Sequence, residues 1–483
     1  MRSKFALITF VCMALPLVAC ANPALEYVEQ GDAYCEQSEW DEAITQYDKA
    51  IGLDPELALA YSNRAYAYTK MGEFDKAIAD CDKAIELDPE LAQAYAGRGR
   101  VHIARGEFDE AIADCDKAIE LDPKLAQAYS SRGDAYRKKG EFDRAISDYN
   151  TAVEVDPELA VAYNNRGLVY IAKGDLDKAI ADCDKAIELE PELVQAYNNR
   201  GIAWRGKGNP VEAIANYDKA IELAPDFVVA YSNRASAYFA MGEYDKAIAD
   251  LNKAIELDPK RAQAYNYRGF TYDKKGEYYK AIADYDKAIE LNPNYADAYN
   301  NRGRAYFFTG EHDKALADLS KAIELDARLA TAYNDRGNVY RVKGELDKAI
   351  ADYDKAVELN PNYAEAYNSR GNAYGVGKNE YGKAMADFDR AIELDPNYAE
   401  AYNNRGLAYG FQGDYDNAMD DFNKAIELNP DFANPYWGRA ILWDVLDKKA
   451  EAIADLEKCI ALSRNSSLTQ SAKQKLDELR SQP

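Results

Sequence analysis

An all-α solenoid of repeated helix pairs is the fold class this sequence predicts, and three observations predict it. Proline recurs every 34 residues, at Pro55, Pro89, Pro123, Pro157, Pro191, Pro225, Pro259 and Pro293. It gives way to Ala327 and returns at Pro361, Pro396 and Pro430. Between prolines lie two stretches with helical apolar spacing, such as Tyr163, Gly167 and Tyr170, then Ala179, Ile180, Cys183, Ala186 and Ile187. Gly174 and Asp175 part the two, as a C-cap glycine followed by an N-cap type of residue. Pro191 stops the second helix because it has no N–H to continue the ladder. Helix pairs this short cannot bury their apolar faces alone, so each unit needs its neighbours. The fixed period decides the fold before any other feature.

The unit 160–193 places Tyr163, Gly167, Tyr170, Ala179, Ala186 and Pro191 at positions 4, 8, 11, 20, 27 and 32. In this it resembles the tetratricopeptide repeat family, in a Tyr-x-Asn-Arg-Gly variant. Thirteen such units run over 24–466, all of 34 residues except repeat 11, which has 35 and begins at Ala364. The resemblance implies a right-handed superhelical solenoid. Its first helices would line a concave surface through positions 2, 5, 6, 9, 12 and 13, and hold protein segments there.

Before the repeats, Arg2 and Lys4 precede an apolar run from Phe5 to Val18, the pattern of a secretory signal peptide. Leu17-Val18-Ala19-Cys20 resembles a bacterial lipobox, which implies acylation of Cys20 and a membrane-anchored lipoprotein in the cell envelope. Ordinary cleavage after Ala21, giving a secreted soluble chain, is the other reading. The net charge of −25, or −27 without Arg2 and Lys4, excludes binding to nucleic-acid phosphates or to anionic lipid by charge alone. Cys81, Cys115 and Cys183 share position 24 and read as core filler, Cys459 takes a small core position, and Cys35 alone reads as accessible. These spacings make no disulfide framework or metal motif.

Within the repeats, position 7 is arginine twelve times and position 23 is Asp in eleven of those repeats. Repeat 1 loses both charges together, with Gln30 and Gln46, so internal Arg–Asp bridges explain the row better than an acidic ligand does. Charges at the six surface positions of the first helices nearly cancel, which puts the acid on the second helices. Repeats 5 to 9 are richest in apolar side chains there, including Leu168, Ile171, Ile202, Phe239, Tyr267, Phe270, Phe307 and Phe308. An asparagine row at position 6 includes Asn63, Asn165, Asn199, Asn233, Asn301 and Asn404. An amide both donates and accepts, so it suits either a peptide backbone or a neighbouring helix.

The expected partner-binding set is therefore Asn165, Asn199, Asn233, Asn301, Arg205, Phe239, Tyr267, Phe270, Arg304 and Phe307. His102 and His312 read as tolerated substitutions, and no catalytic, cofactor or metal constellation is expected. Gly375 to Glu380 holds the extra residue of repeat 11 and predicts a longer, mobile turn. Asn209-Pro210 predicts an N-cap with an N1 proline. After Ser466, Leu468, Ala472, Leu476 and Leu479 form one stripe and predict a capping helix over 467–483. The function expected is an exported scaffold that binds an extended protein segment during cell-envelope assembly. The alternative in another class is a spacer or self-assembling solenoid with no ligand on this face.

Overall fold

The computed structural model describes residues 22–481. The apolar leader and Cys20 lie outside the described residues. The chain divides into two units, 1–241 and 242–483. Repeats 1 to 6 and the first helix of repeat 7 build the first unit; the second helix of repeat 7 and all that follows build the second. In each unit helix follows helix as antiparallel pairs, and among the described residues no strand occurs.

Repeat 5 shows how one unit is made. Its first helix, Ala160–Lys173, ends at Gly174, whose φ of 81° is left-handed and cheap only for glycine. That turn lets the Asp175 N–H donate to the Tyr170 carbonyl at 2.9 Å and redirects the chain into Leu176–Leu189. Asp175 occupies the N-cap position without a side-chain capping bond, and Asn209 does the same before Pro210. The asparagine expected to cap that helix therefore marks its start and bonds it only through its backbone carbonyl, which accepts from the Ala213 N–H at 3.2 Å.

The core is small-on-large. Ala179 and Ala186 are fully buried, and position 24 inserts a side chain against the glycine at position 8. A Cβ on Gly201 would stand 2.5 Å from Tyr217 Cε1, so a ring at position 24 requires glycine opposite it. Where Cys81 replaces the ring, Ala65 is accommodated. Cys81, Cys115 and Cys183 are buried, and desolvation pushes each thiol up to about 12. Cys35 is only half-buried, yet its Sγ lies 3.3 Å from the Tyr47 hydroxyl.

Repeat 11 corrects one expectation. Its extra residue is absorbed as a π-helical turn, Ala373–Gly377, and not as a longer loop. Lys378 still reaches Asp347 at 2.5 Å, as lysines one residue earlier do in other repeats. At the C-terminal end, the helix Ser466–Ser481 lays Ala472, Leu476 and Leu479 on Ala452, Leu456 and Cys459. Among the described residues no helix is long and apolar enough to cross a membrane.

Candidate partner-binding surface

The arginine row lies inside the array. Arg166 donates through Nε and Nη2 to Asp182 at 2.8 and 2.7 Å, joining the two helices of repeat 5. Its Nη1 donates to Asn150 of the preceding repeat at 2.7 Å, and its guanidinium sits 5.3 Å from the Tyr163 ring centre. The same fork recurs, as in Arg64 with Asp80 and Asp48, Arg302 with Asp318 and Asp286, and Arg405 with Asp421 and Asp389. The hydrogen bonds it donates to Asp182 hold the Arg166 guanidinium further toward its charged form, against the opposing pull of burial. In repeat 6 the partner is neutral, with Arg200 Nε donating to Asn216 at 2.6 Å. No ligand is needed to explain these arginines.

The asparagine row also turns inward. Asn199 Nδ2 donates to Asn164 at 2.9 Å, Asn233 to Asn198 at 2.8 Å and Asn301 to Asn266 at 3.2 Å. Asn165 donates to Asp134 at 3.1 Å. Position 6 of one first helix thus bonds position 5 or 9 of the one before. Asn199 is only 6% exposed, so it is a link between helices and not an open donor. Asn165, Asn233 and Asn301 stay half-buried, each with a second amide hydrogen beyond these bonds.

The apolar residues separate into two groups. Ile202, Phe239, Tyr267 and Phe270 are half-buried on first helices. Tyr267 and Phe270 stack with ring centres 6.5 Å apart, and Arg304 lies 5.5 Å from the Phe270 ring. Phe307 is half-buried as well and packs on Ala315, Leu319 and Val339, as Ile202 packs on Ala213, Tyr217 and Ala237. The exposed neighbour is Phe308, stacked on Tyr278 at 5.1 Å. Arg205 donates to Ser236 at 2.6 Å.

Two buried hydroxyls expose a cost of this surface. Tyr149 donates to Asp134 at 2.9 Å and Tyr353 to Asn338 at 2.9 Å, both acceptors at position 9. In repeats 6 and 8 that position is Ile202 or Phe270; the Tyr285 hydroxyl is left without a hydrogen-bond partner, and the Tyr217 hydroxyl loses its acceptor and has only the Arg205 guanidinium near it. Each such group costs on the order of 1–3 kcal/mol.

A buried ionic cluster lies nearby in the second unit. Arg304 Nη2 donates to Asp273 at 2.7 Å, and Asp273 is 8% exposed. Asp335, 9% exposed, takes position 6 of repeat 10, where an asparagine would donate to Asn300. Asn300 Oδ1 is buried with no partner. Burial pushes the Asp335 carboxyl up to about 7, Arg304 opposing and Glu365 and Asp273 adding. Among the described residues no group of side chains is placed to hold a metal. His102 Nδ1 lies 2.6 Å from Glu107, across the Gly106 turn that ends its helix.

A second apolar surface lies outside repeats 5 to 9, where the sequence places most of these side chains. Between the first helices of repeats 12 and 13 an open cleft of about 390 Å³ is lined by Leu407, Phe411, Tyr415, Trp437, Ile441 and Val445. Phe411 is 67% exposed, stacked on Tyr381. Positions 9 and 13 of both first helices are apolar there, a pattern visible in the sequence once the surface positions are known.

Sequence models described as "TPR repeat" match 31–72, 133–174, 235–276, 273–310, 337–375 and 376–410. Others described as "Tetratricopeptide repeat" match 58–91, 92–125, 160–193, 194–227, 296–328 and 399–432, and 115–147 and 216–249. The chain belongs to the tetratricopeptide repeat family. Comparison with curated proteins returns no match. Among solved structures it is similar to the APC/C hetero-tetramer Cut9-Hcn1, at 18% identity over 94% of this chain and 97% of that one, with a TM-score of 0.54. It also aligns with yeast Tom70 at 19% identity, covering 95% and 96%, with a TM-score of 0.44. A tetratricopeptide repeat protein from Parabacteroides merdae aligns at 25% identity over 51% of this chain and 97% of its own, with a TM-score of 0.41. The first of these likenesses shows the shared fold.

Proposed function

We propose that this chain is an exported scaffold whose first-helix surfaces bind a protein segment in the cell envelope. One observation carries the binding role: repeats 6 and 8 give up a buried hydrogen bond each to present Ile202 and Phe270. Packing alone would retain the acceptor for Tyr217 and Tyr285. In the first unit the contacts are Ile202 and Phe239, with spare amide hydrogens on Asn165 and Asn233 and the Arg205 guanidinium beside them. In the second they are Tyr267, Phe270, Arg304 and Asn301. Asn199 contributes spacing, and Phe307 supports the helix behind it. The inward-turned amides favour the spacer reading instead, so a direct test is required.

A photo-crosslinking residue at position 202 or 270 of the full chain, offered a displayed library of random peptides, is expected to capture the retained peptides. The same residue at position 185, on a second helix, is expected to capture none. Phe270→Ala should weaken the best second-unit peptide by roughly tenfold or more, as loss of a desolvated aromatic costs about 2 kcal/mol. Capture only at position 185, with affinity falling steeply in salt, would reject the proposal.

Export rests on the leader. Cys20→Ser is expected to move the protein from the membrane to the soluble fraction. Recovery of an unacylated mature chain beginning at Asn22 would replace the anchored reading with the secreted one.

A further inference from the structure

The repeats carry a second, exposed charge pairing at their junctions. The cation at position 14 of one repeat reaches the aspartate at position 18 of the repeat before. Lys139 meets Asp109, Lys173 meets Asp143, Lys207 meets Asp177 and Lys275 meets Asp245, each at 2.5 Å. Lys343 meets Asp313 at 2.6 Å. The geometry therefore records where an ammonium group stands relative to that aspartate.

At the junction of repeats 12 and 13 the aspartate is retained and the cation is absent. Asp416 holds position 18, but position 14 of repeat 13 is Leu446, 43% exposed. Asp416 is exposed, and among the described residues no cation pairs with it. It follows Tyr415, and Leu446 follows Val445, so the vacant partner position adjoins one end of the apolar cleft. The first junction also loses its cation, Asp41 facing Met71, but there Trp40 and Tyr66 meet edge to face at 6.1 Å. Repeats 12 and 13 thus combine an exposed aromatic, a cleft of about 390 Å³ and an aspartate without its counter-ion. Glu400, on the same first helix as Phe411, is exposed and adds to the negative potential.

We propose that this cleft seats a large apolar side chain of a partner segment that carries a lysine or arginine nearby, whose cation takes the position that Leu446 leaves empty and pairs with Asp416. Charge complementarity selects the occupant. An acidic or neutral segment could fill the cleft but would leave Asp416 unpaired or repelled. The apolar contact supplies most of the affinity, and the ion pair supplies discrimination among segments. This deepens the reading of the first-helix surface as the binding surface and rests on it.

The test is a subtractive selection with a displayed library of random ten-residue peptides on the full chain. Peptides retained by the wild type and lost by Ile441→Asp are those seated in the cleft. They are expected to combine Trp, Phe or Leu with a Lys or Arg within a few residues. Asp416→Asn should weaken them by about two- to fivefold, the range of an exposed ion pair. Leu446→Lys should weaken them similarly, because its own ammonium would occupy Asp416; five other repeats already tolerate lysine at the equivalent position. Cleft peptides without an excess of basic residues, or unchanged affinity in both variants, would overturn the proposal. Peptides that crosslink at positions 202 or 270 but never depend on Ile441 would overturn it while leaving the broader function standing. Peptides that crosslink to no first helix would overturn both.

Discussion

Arg166→Met is expected to destabilise the chain by about 3–5 kcal/mol, measured as a fall in the urea midpoint, because it strands a charge inside the array. Asp182 is 7% exposed, and the departing guanidinium supplies both of its close charge-assisted bonds. Adding Asp182→Leu should restore much of the loss, since an apolar pair has no charge to desolvate. The double-mutant cycle should therefore show strong coupling. Repeat 6 is the internal comparison. There Arg200 faces neutral Asn216, which also donates to the Glu212 carbonyl at 2.8 Å. Arg200→Met should cost only about 1–3 kcal/mol. Equal losses at the two sites would sink the buried-charge account.

Asp335→Asn should stabilise the chain at pH 8 by roughly 2–4 kcal/mol and change little near pH 4. The sign follows from the direction of the shift. The folded carboxyl titrates at about 7, above its ordinary 3.8, so between those values the folded chain holds a proton that the unfolded chain has released. Stability from this group is intact below about pH 4 and falls by up to about 1.4 kcal/mol per unit as pH rises to 7. The groups facing Asp335 are Arg304, Asp273, Glu365, Tyr353 and Tyr363 from other helices, with Asn334 beside it. An asparagine carries no charge to desolvate and would offer Asn300 the N–H that Asn199 offers Asn164. The wild-type and variant denaturation curves should diverge as pH rises. Parallel curves from pH 4 to 8 would remove Asp335 as the titrating group.

Much of the architecture was legible because it repeats. The proline interval and the helical spacing required stacked pairs, and the joint loss of charge at Gln30 and Gln46 marked Arg–Asp as a pair. Contacts decided by direction were less legible. Phe307 and Phe308 differ by one residue, or about 100° around a helix, and that turn leaves one ring half-buried against the core and the other exposed. The asparagine amides face the preceding helix, which spacing alone could not distinguish from facing a ligand. The extra residue in repeat 11 could widen a loop or a helical turn, and the backbone took the turn. The cleft of repeats 12 and 13 was hidden because it forms only where Leu407 and Phe411 of one helix meet Ile441 and Val445 of the next.

The arginine fork has a genetic consequence. In the 34-residue repeats the arginine bonds one partner sixteen residues ahead and one sixteen residues behind, as Arg64 and Arg98 do, so its bonds are unchanged by a shift of one period along the chain; Arg370, in the longer repeat 11, reaches seventeen ahead to Asp387. Removing 34 consecutive residues from within repeats 2 to 10, wherever the cut begins, joins equivalent positions and regenerates the fork. Duplicating 34 does the same. Unequal crossing-over between near-identical coding segments can therefore lengthen or shorten such a gene by whole repeats without breaking a buried ion pair. The length of the array is then free to vary, while the chemistry of each joint is held fixed.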